Sequence, residues 1–142
     1  MKTLASCTPV EFLKQSNRIR KSVEKWLTDT DILNIRQRLP HREIASIDAT
    51  DEERQEIEEK NKKAVSAQIR KNLSAILDAV MDDHAEETIE VLALCCFIEP
   101  EDANNHMMSE YLGALGEILN DENVMSFFTS LARMERMTTQ SA

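Results

Sequence analysis

Turn-forming residues are scarce in this sequence, since only two glycines and three prolines interrupt 142 residues. A sheet of many short strands needs a tight turn between each pair of strands, and most such turns rely on these residues. Apolar side chains instead recur at three- and four-residue spacing, which is typical of one face of a helix. The sequence therefore predicts an all-α fold: a compact bundle of five or six helices with one long central helix and no sheet, in a single domain over residues 1–142.

Two short motifs predict where the helices begin. Thr8 and Thr50 are each followed three residues later by a glutamate, so that hydroxyl and carboxylate can bind the free amides of a first helical turn. The first motif opens the N-terminal helices, which we expect within residues 1–50. The second opens the long helix, predicted over residues 51–81.

Two stretches of the N-terminal half lack a clear apolar face. Residues 41–49 offer only Ile44 and Ile47 as anchors, which indicates a loop or a single turn. In residues 51–63, Ile57 is the only large apolar side chain among charged neighbours. This start of the long helix is either a solvated extension or a segment that becomes ordered on a partner.

The C-terminal helices are predicted within residues 84–136. Asp83, with a glutamate three residues later, is the cap signal for a helix through residues 88–98, whose second half is apolar on every side. A helix that is apolar all round is expected to be central and buried. The small polar residues 137–142 indicate a frayed tail.

No pattern of reactive side chains predicts an active site. The three cysteines are an odd number, and Cys95 and Cys96 are adjacent rather than spaced as zinc ligands, so we expect small buried core thiols. His84 and His106 belong to no ligand motif, and no glycine-rich phosphate loop or nucleophile turn is found. The sequence therefore predicts no catalytic, cofactor-binding or metal-binding residues, and a protein that is not an enzyme.

Charge is unevenly distributed along the chain. Residues 1–71 carry a balance of +3 and residues 72–142 a balance of −12. The acidic half repels a phosphate backbone, which argues against nucleic acid as a partner even though five cations line the first helix. A basic protein, or the basic half of a second copy, would instead be attracted. Because no apolar run reaches the length of about 18 residues that a membrane span needs, we expect a cytoplasmic protein without a membrane partner.

Glycine occurs in one helix only, where Ser109, Gly113 and Gly116 form a stripe of small residues. Glycine within a helix costs about 1 kcal/mol relative to alanine, and the usual compensation is a close neighbouring helix, here from the same chain or from another subunit. Methionines are concentrated nearby and suit surfaces that accept varied apolar partners, although a core role for them and for the phenylalanines stays open. The candidate partner-binding residues are Met107, Met108, Tyr111, Gly113, Gly116, Phe127, Phe128 and Met134.

Three segments of the C-terminal part resemble a known family. They are residues 92–100, 111–115 and 119–132, and the most distinctive piece is the Asn-Asp-Glu-Asn-Val-Met-Ser-Phe-Phe run at residues 120–128. These segments are similar to tail assembly chaperones of long-tailed bacteriophages and prophages, and the resemblance extends over residues 85–136.

The resemblance implies a small, all-helical, non-catalytic protein made in the cytoplasm of the host cell. Such a chaperone binds and solubilises the tape-measure protein, helps the tail-tube protein to polymerise around it, self-associates as a homo-oligomer and is not expected in the mature virion. The charge distribution alone favours a second interpretation, a helical adaptor or regulator that docks a basic partner through the acidic C-terminal half.

Overall fold

The computed structural model describes the backbone of residues 1–141 and the side chains of residues 1–137. Six α-helices are present in this range: α1 Pro9–Thr30, α2 Ile32–Arg36, α3 Asp51–Asp78, α4 Ala85–Cys95, α5 Met108–Asn120 and α6 Glu122–Ser141. A π-helical turn, Ala79–Asp83, follows α3, and a 3-10 helix, Pro100–Asn105, precedes α5. The part of the chain described contains no strand, so the all-α prediction is confirmed. None of its helices combines the length and the apolar character that crossing a bilayer requires. The frayed tail predicted over residues 137–142 stays a prediction: the backbone of α6 is helical to Ser141, and the side chains of residues 138–142 lie outside the described residues.

Both predicted helix starts are confirmed by their hydrogen bonds. The Thr8 amide donates to the Glu11 carboxylate at 3.1 Å, while the Glu11 amide donates to the Thr8 hydroxyl at 3.3 Å. At the start of α3, the Glu53 amide donates to the Thr50 hydroxyl at 3.2 Å. The bonds at Thr8 are reciprocal, and all three satisfy amides that have no partner within the helix.

The end of α4 differs from the prediction of a helix through residues 88–98. The helix stops at Cys95, where Phe97 adopts a left-handed backbone with φ of 57°. The Ile98 amide donates to the Ala93 carbonyl at 3.0 Å and the Phe97 amide to the Leu94 carbonyl at 3.3 Å. This pair of bonds is a Schellman motif, which usually places glycine where this chain has phenylalanine. The stop signal was therefore not visible in the residue types.

Contacts divide the chain into two compact units, residues 1–25 with 86–142, and residues 26–85. The single domain over residues 1–142 stays a prediction. In the first unit, as predicted for an apolar α4, the side chains of Ala93, Leu94 and Cys96 are buried. Two core clusters organise this unit. The first contains Ala93, Cys96, Ala103, Tyr111 and Ala114, and the second contains Leu4, Ile118 and Val124.

In the second unit, an extended segment of residues 38–49, which we call the strap, is bound along α3. The buried Asn72 side chain donates to the Arg38 carbonyl at 3.0 Å. The Asn61 amide group pairs with the backbone of Glu43 through two hydrogen bonds of 3.0 Å, one donated and one accepted. The strap backbone, which has no strand partner, is satisfied by side chains of the helix.

The strap continues towards the start of α3. The Arg54 guanidinium donates to the carbonyls of Ile47 at 3.3 Å and Ala49 at 3.4 Å. Later residues of the strap contact earlier residues of α3, so the strap runs antiparallel to the helix. The prediction of Ile44 and Ile47 as apolar anchors is wrong, since their side chains are 93% and 95% exposed. Polar groups of the helix hold the backbone instead.

Candidate protein-binding surface

Helix α5 has more apolar residues than the core of the first unit uses. Tyr111, Ala114 and Ile118 are buried on one side. Met108, Leu112 and Leu119 lie on an adjoining side and remain 48%, 55% and 55% exposed. Their spacing of four and seven residues places these three on one stripe of the helix. We call this stripe the α5 face.

The glycine stripe lies beside the α5 face and is open. A Cβ atom built on Gly113 or Gly116 would meet nothing within 4 Å. The glycines were predicted to lie against a close neighbouring helix of the same chain or of another subunit. Within the described residues, no helix of the same chain lies close to them, so the first alternative is wrong. Beyond the glycines, the exposed side chains of Glu110 and Glu117 form an acidic margin. Around the helix, the order is thus apolar stripe, glycine stripe, acidic margin and buried core side.

Tyr111 is not available to a partner, so its place among the candidate binding residues is wrong. Its side chain is 2% exposed, and its hydroxyl donates to the Ala103 carbonyl at 2.6 Å. Burial raises the pKa of this hydroxyl above its usual range. The ring therefore attaches α5 to the 3-10 helix, which is a structural role.

The two phenylalanines of α6 belong to an aromatic cluster with Phe12. The ring centroids of Phe12 and Phe127 are 5.0 Å apart in an edge-to-face arrangement, and those of Phe127 and Phe128 are 5.5 Å apart. Both α6 rings are half-buried. They thus support the core on one side while leaving part of their surface accessible.

Phe127 also lines an apolar groove of about 430 Å³ between the start of the chain and the start of α6. The residues around this groove are Leu4, Ala5, Cys7, Pro9, Phe12, Leu13, Asp121, Asn123, Val124 and Phe127. Leu131 and Met134 follow Phe127 after four and seven residues, and both are substantially exposed. An apolar path therefore continues along α6 beyond the groove.

Met107 precedes α5 and is 72% exposed. Its amide donates to the Glu110 carboxylate at 3.1 Å, and the same carboxylate lies 3.0 Å from His106 Nδ1. Glu110 therefore caps the helix that carries the α5 face. Of the predicted residues, Met107, Met108, Gly113 and Met134 are exposed, Gly116 and the two phenylalanines are half-buried, and Tyr111 is buried.

Sequence reasoning missed a polar connection between α1 and the chain after α4. The Gln15 side chain, which is buried, donates to the Leu94 carbonyl at 2.6 Å. The Arg18 guanidinium donates to both carboxylate oxygens of Glu99, at 3.2 Å and 2.9 Å. These hydrogen bonds lower the pKa of Glu99 and raise that of Arg18. No local motif links residues 81 positions apart, so only the fold reveals the pair.

The two thiols at the end of α4 lie against the core of the first unit. Cys96 is buried, and burial raises the pKa of Cys95 to about 11, so that its thiol is protonated at neutral pH. Among residues 1–137, no group of three or more histidine, cysteine or acidic side chains is placed to hold a metal ion. The available surface is apolar and acidic, and such a surface binds another chain by burying apolar area beside charge pairs.

Comparison with known proteins gives no identification: no protein family, no curated protein and no solved structure matches this chain.

Proposed function

We propose that this chain is a non-enzymatic tail assembly chaperone, which binds and solubilises the tape-measure protein and helps the tail-tube protein to polymerise. It acts in the cytoplasm of the host cell and leaves before the virion matures. The observation that supports this proposal is the α5 face, a row of half-exposed apolar side chains beside open glycines. The resemblance of residues 85–136 supplies the identity of the client.

The layout of α5 suits a helical client with an apolar stripe. The client's apolar side chains would cover Met108, Leu112 and Leu119, which are the exposed residues of the α5 face. The glycine stripe admits close approach of a backbone, because nothing of this chain occupies the space above it. The acidic margin then pairs with lysine or arginine beside the client's stripe.

A chaperone must also release its client. The α5 face offers only three partly exposed apolar side chains, so a single copy would bind weakly. Many copies along one long client would together give useful affinity, and each could be displaced separately by the tail-tube protein. Weak single sites acting in number are therefore consistent with the proposed role.

The direct test is co-expression with the tape-measure protein of the same phage or prophage. We expect a recovered complex and a larger soluble fraction of the client. Leu112→Glu should abolish both effects, because it places a charge in the α5 face. Leu33→Glu is the matched control, since Leu33 is 51% exposed but lies on α2. An unchanged soluble fraction of the client with wild-type protein would refute the proposal.

A second variant separates client binding from stability. Gly113→Ala with Gly116→Ala should stabilise the folded chain by about 1 kcal/mol per site, because the added methyl groups meet nothing and improve helix propensity. The same variant should capture less client, since the methyl groups occupy the space for a close backbone. Capture equal to that of the wild type would show that the glycine stripe is not part of the binding surface.

A further inference from the structure

Helix α3 carries a second apolar feature that the proposed client binding does not use. Ile69, Leu73 and Leu77 of α3 and Met81 of the following π-helical turn succeed one another at intervals of four residues and are 60%, 55%, 43% and 71% exposed. We call this row the α3 ridge, and it extends for about 18 Å at the rise of a helix. The strap is bound to other positions of the helix, such as Asn72, and leaves the ridge uncovered.

A row of polar residues runs beside the ridge, one position later at each step. It consists of Arg70, Ser74, Asp78 and Asp82, all of them exposed. Its charge therefore changes along the helix, from a cation at the N-terminal end to two carboxylates at the C-terminal end. We call it the charged row.

The charged row of one copy is complementary to the charged row of a second copy that runs in the opposite direction. In an antiparallel pair related by a two-fold axis near residue 75, the ridges of both copies meet and the charged rows lie along the same side. Arg70 of each copy then lies between Asp78 and Asp82 of the other, where opposite charges attract. In a parallel two-fold pair the two charged rows would lie on opposite sides of the contact, where they could not pair. Rows at four-residue intervals also interdigitate well when two helices cross at about −50°.

From these observations we infer that the α3 ridge is a docking surface for a second copy of this chain, with the two α3 helices antiparallel. The contact is isologous, so it forms a closed dimer rather than an open filament. It buries the α3 ridge of each copy and pairs the two charged rows. It differs from head-to-tail stacking, in which the acidic half of one copy would meet the basic half of the next, and it is independent of the proposed client.

The oligomeric state tests this inference through charge reversal. Sedimentation equilibrium of the full chain should show a mass that rises with concentration from 16.2 kDa towards twice that value. Arg70→Glu should raise the dimer dissociation constant about tenfold, because the whole row becomes acidic. Adding Asp78→Lys and Asp82→Lys to the same chain should restore dimerisation, since the reversed row is again self-complementary. Lys71→Glu is the control, because it changes the charge equally but points about 100° further round the helix.

The apolar contact is tested at the centre of the ridge. Leu73→Glu should raise the dissociation constant at least about thirtyfold, while Leu112→Glu on α5 should leave it unchanged. Circular dichroism should show that both variants keep the helical content of the wild type, because both side chains are half-exposed in one copy.

A wild-type chain that stays monomeric at all concentrations would overturn the inference. So would a dimer that survives Leu73→Glu, or a triple charge variant that fails to associate. Client capture by Leu73→Glu is read separately, so failure of the dimer and failure of the proposed function are distinguishable.

Discussion

Tyr111 and Leu112 are neighbours in sequence with opposite roles in the structure, and replacing each in turn gives the most informative prediction. The Tyr111 hydroxyl and the Ala103 carbonyl form a 2.6 Å hydrogen bond, with both residues less than 5% exposed. Tyr111→Phe keeps the ring but removes this donor from a buried acceptor, which should lower the free energy of unfolding by about 1–3 kcal/mol. Leu112→Glu changes an exposed position, so its effect on unfolding should be within about 0.5 kcal/mol.

Urea denaturation followed by circular dichroism measures both effects, and client capture is measured below the unfolding transition. We expect Tyr111→Phe to shift the midpoint and retain capture, and Leu112→Glu to do the reverse. An unchanged midpoint for Tyr111→Phe would refute the structural role assigned to this hydroxyl. Loss of capture in a Tyr111→Phe chain that is still folded would return the tyrosine to the binding surface.

Three further predictions concern the strap, one ion pair and the thiols. Asn61→Ala removes the two hydrogen bonds that Asn61 makes with the strap, each contributing about 0.5–1.5 kcal/mol. Trypsin should therefore cut faster after Arg42, and an unchanged rate would contradict the role of these bonds in holding the strap. Glu99→Gln removes a carboxylate whose pKa an α1 arginine lowers from 4.5, so the pair stabilises the fold above that pH and loses its effect as the pH falls through the lowered pKa. The difference in Tm between wild type and Glu99→Gln should therefore be constant at neutral pH and shrink as the pH falls below 4.5, and a difference that stays constant there would argue against the pair. Ellman's reagent at about pH 8 should label Cys7 faster than Cys95, since both are partly exposed but burial raises the pKa of Cys95 to about 11, and should label the buried Cys96 only after unfolding. Equal rates for Cys7 and Cys95 would contradict the raised pKa of Cys95.

The helix starts were predictable because their cause is local. A threonine hydroxyl and a glutamate three residues later satisfy each other's amides whatever the rest of the chain does, as at Thr8. The end of α4 was not predictable for the complementary reason. Phe97 adopts a left-handed backbone that residue type disfavours, and its own packing against the core, together with Ile98, holds it there.

The candidate surface was only partly predictable, because periodicity gives the angle between residues but not which arc faces the core. On α5, apolar residues cover both the buried side and the α5 face, so Tyr111 and Leu112 look equally suitable from sequence. The strap was invisible for another reason. Its partners are up to 34 residues apart, and polar groups such as Asn61 and Asn72 on a helix look like an ordinary solvated side.

The contacts that hold the strap do not depend on the side chains of the strap. The groups bound by α3 are main-chain amides and carbonyls, which every non-proline residue possesses, while side chains such as Ile44 point into water. The path of residues 38–49 is therefore determined by side chains of α3 rather than by the side chains of the segment itself. A foreign peptide of the same length grafted between Arg38 and Ala49 should inherit that course, so the second unit offers a natural position for displaying a chosen epitope.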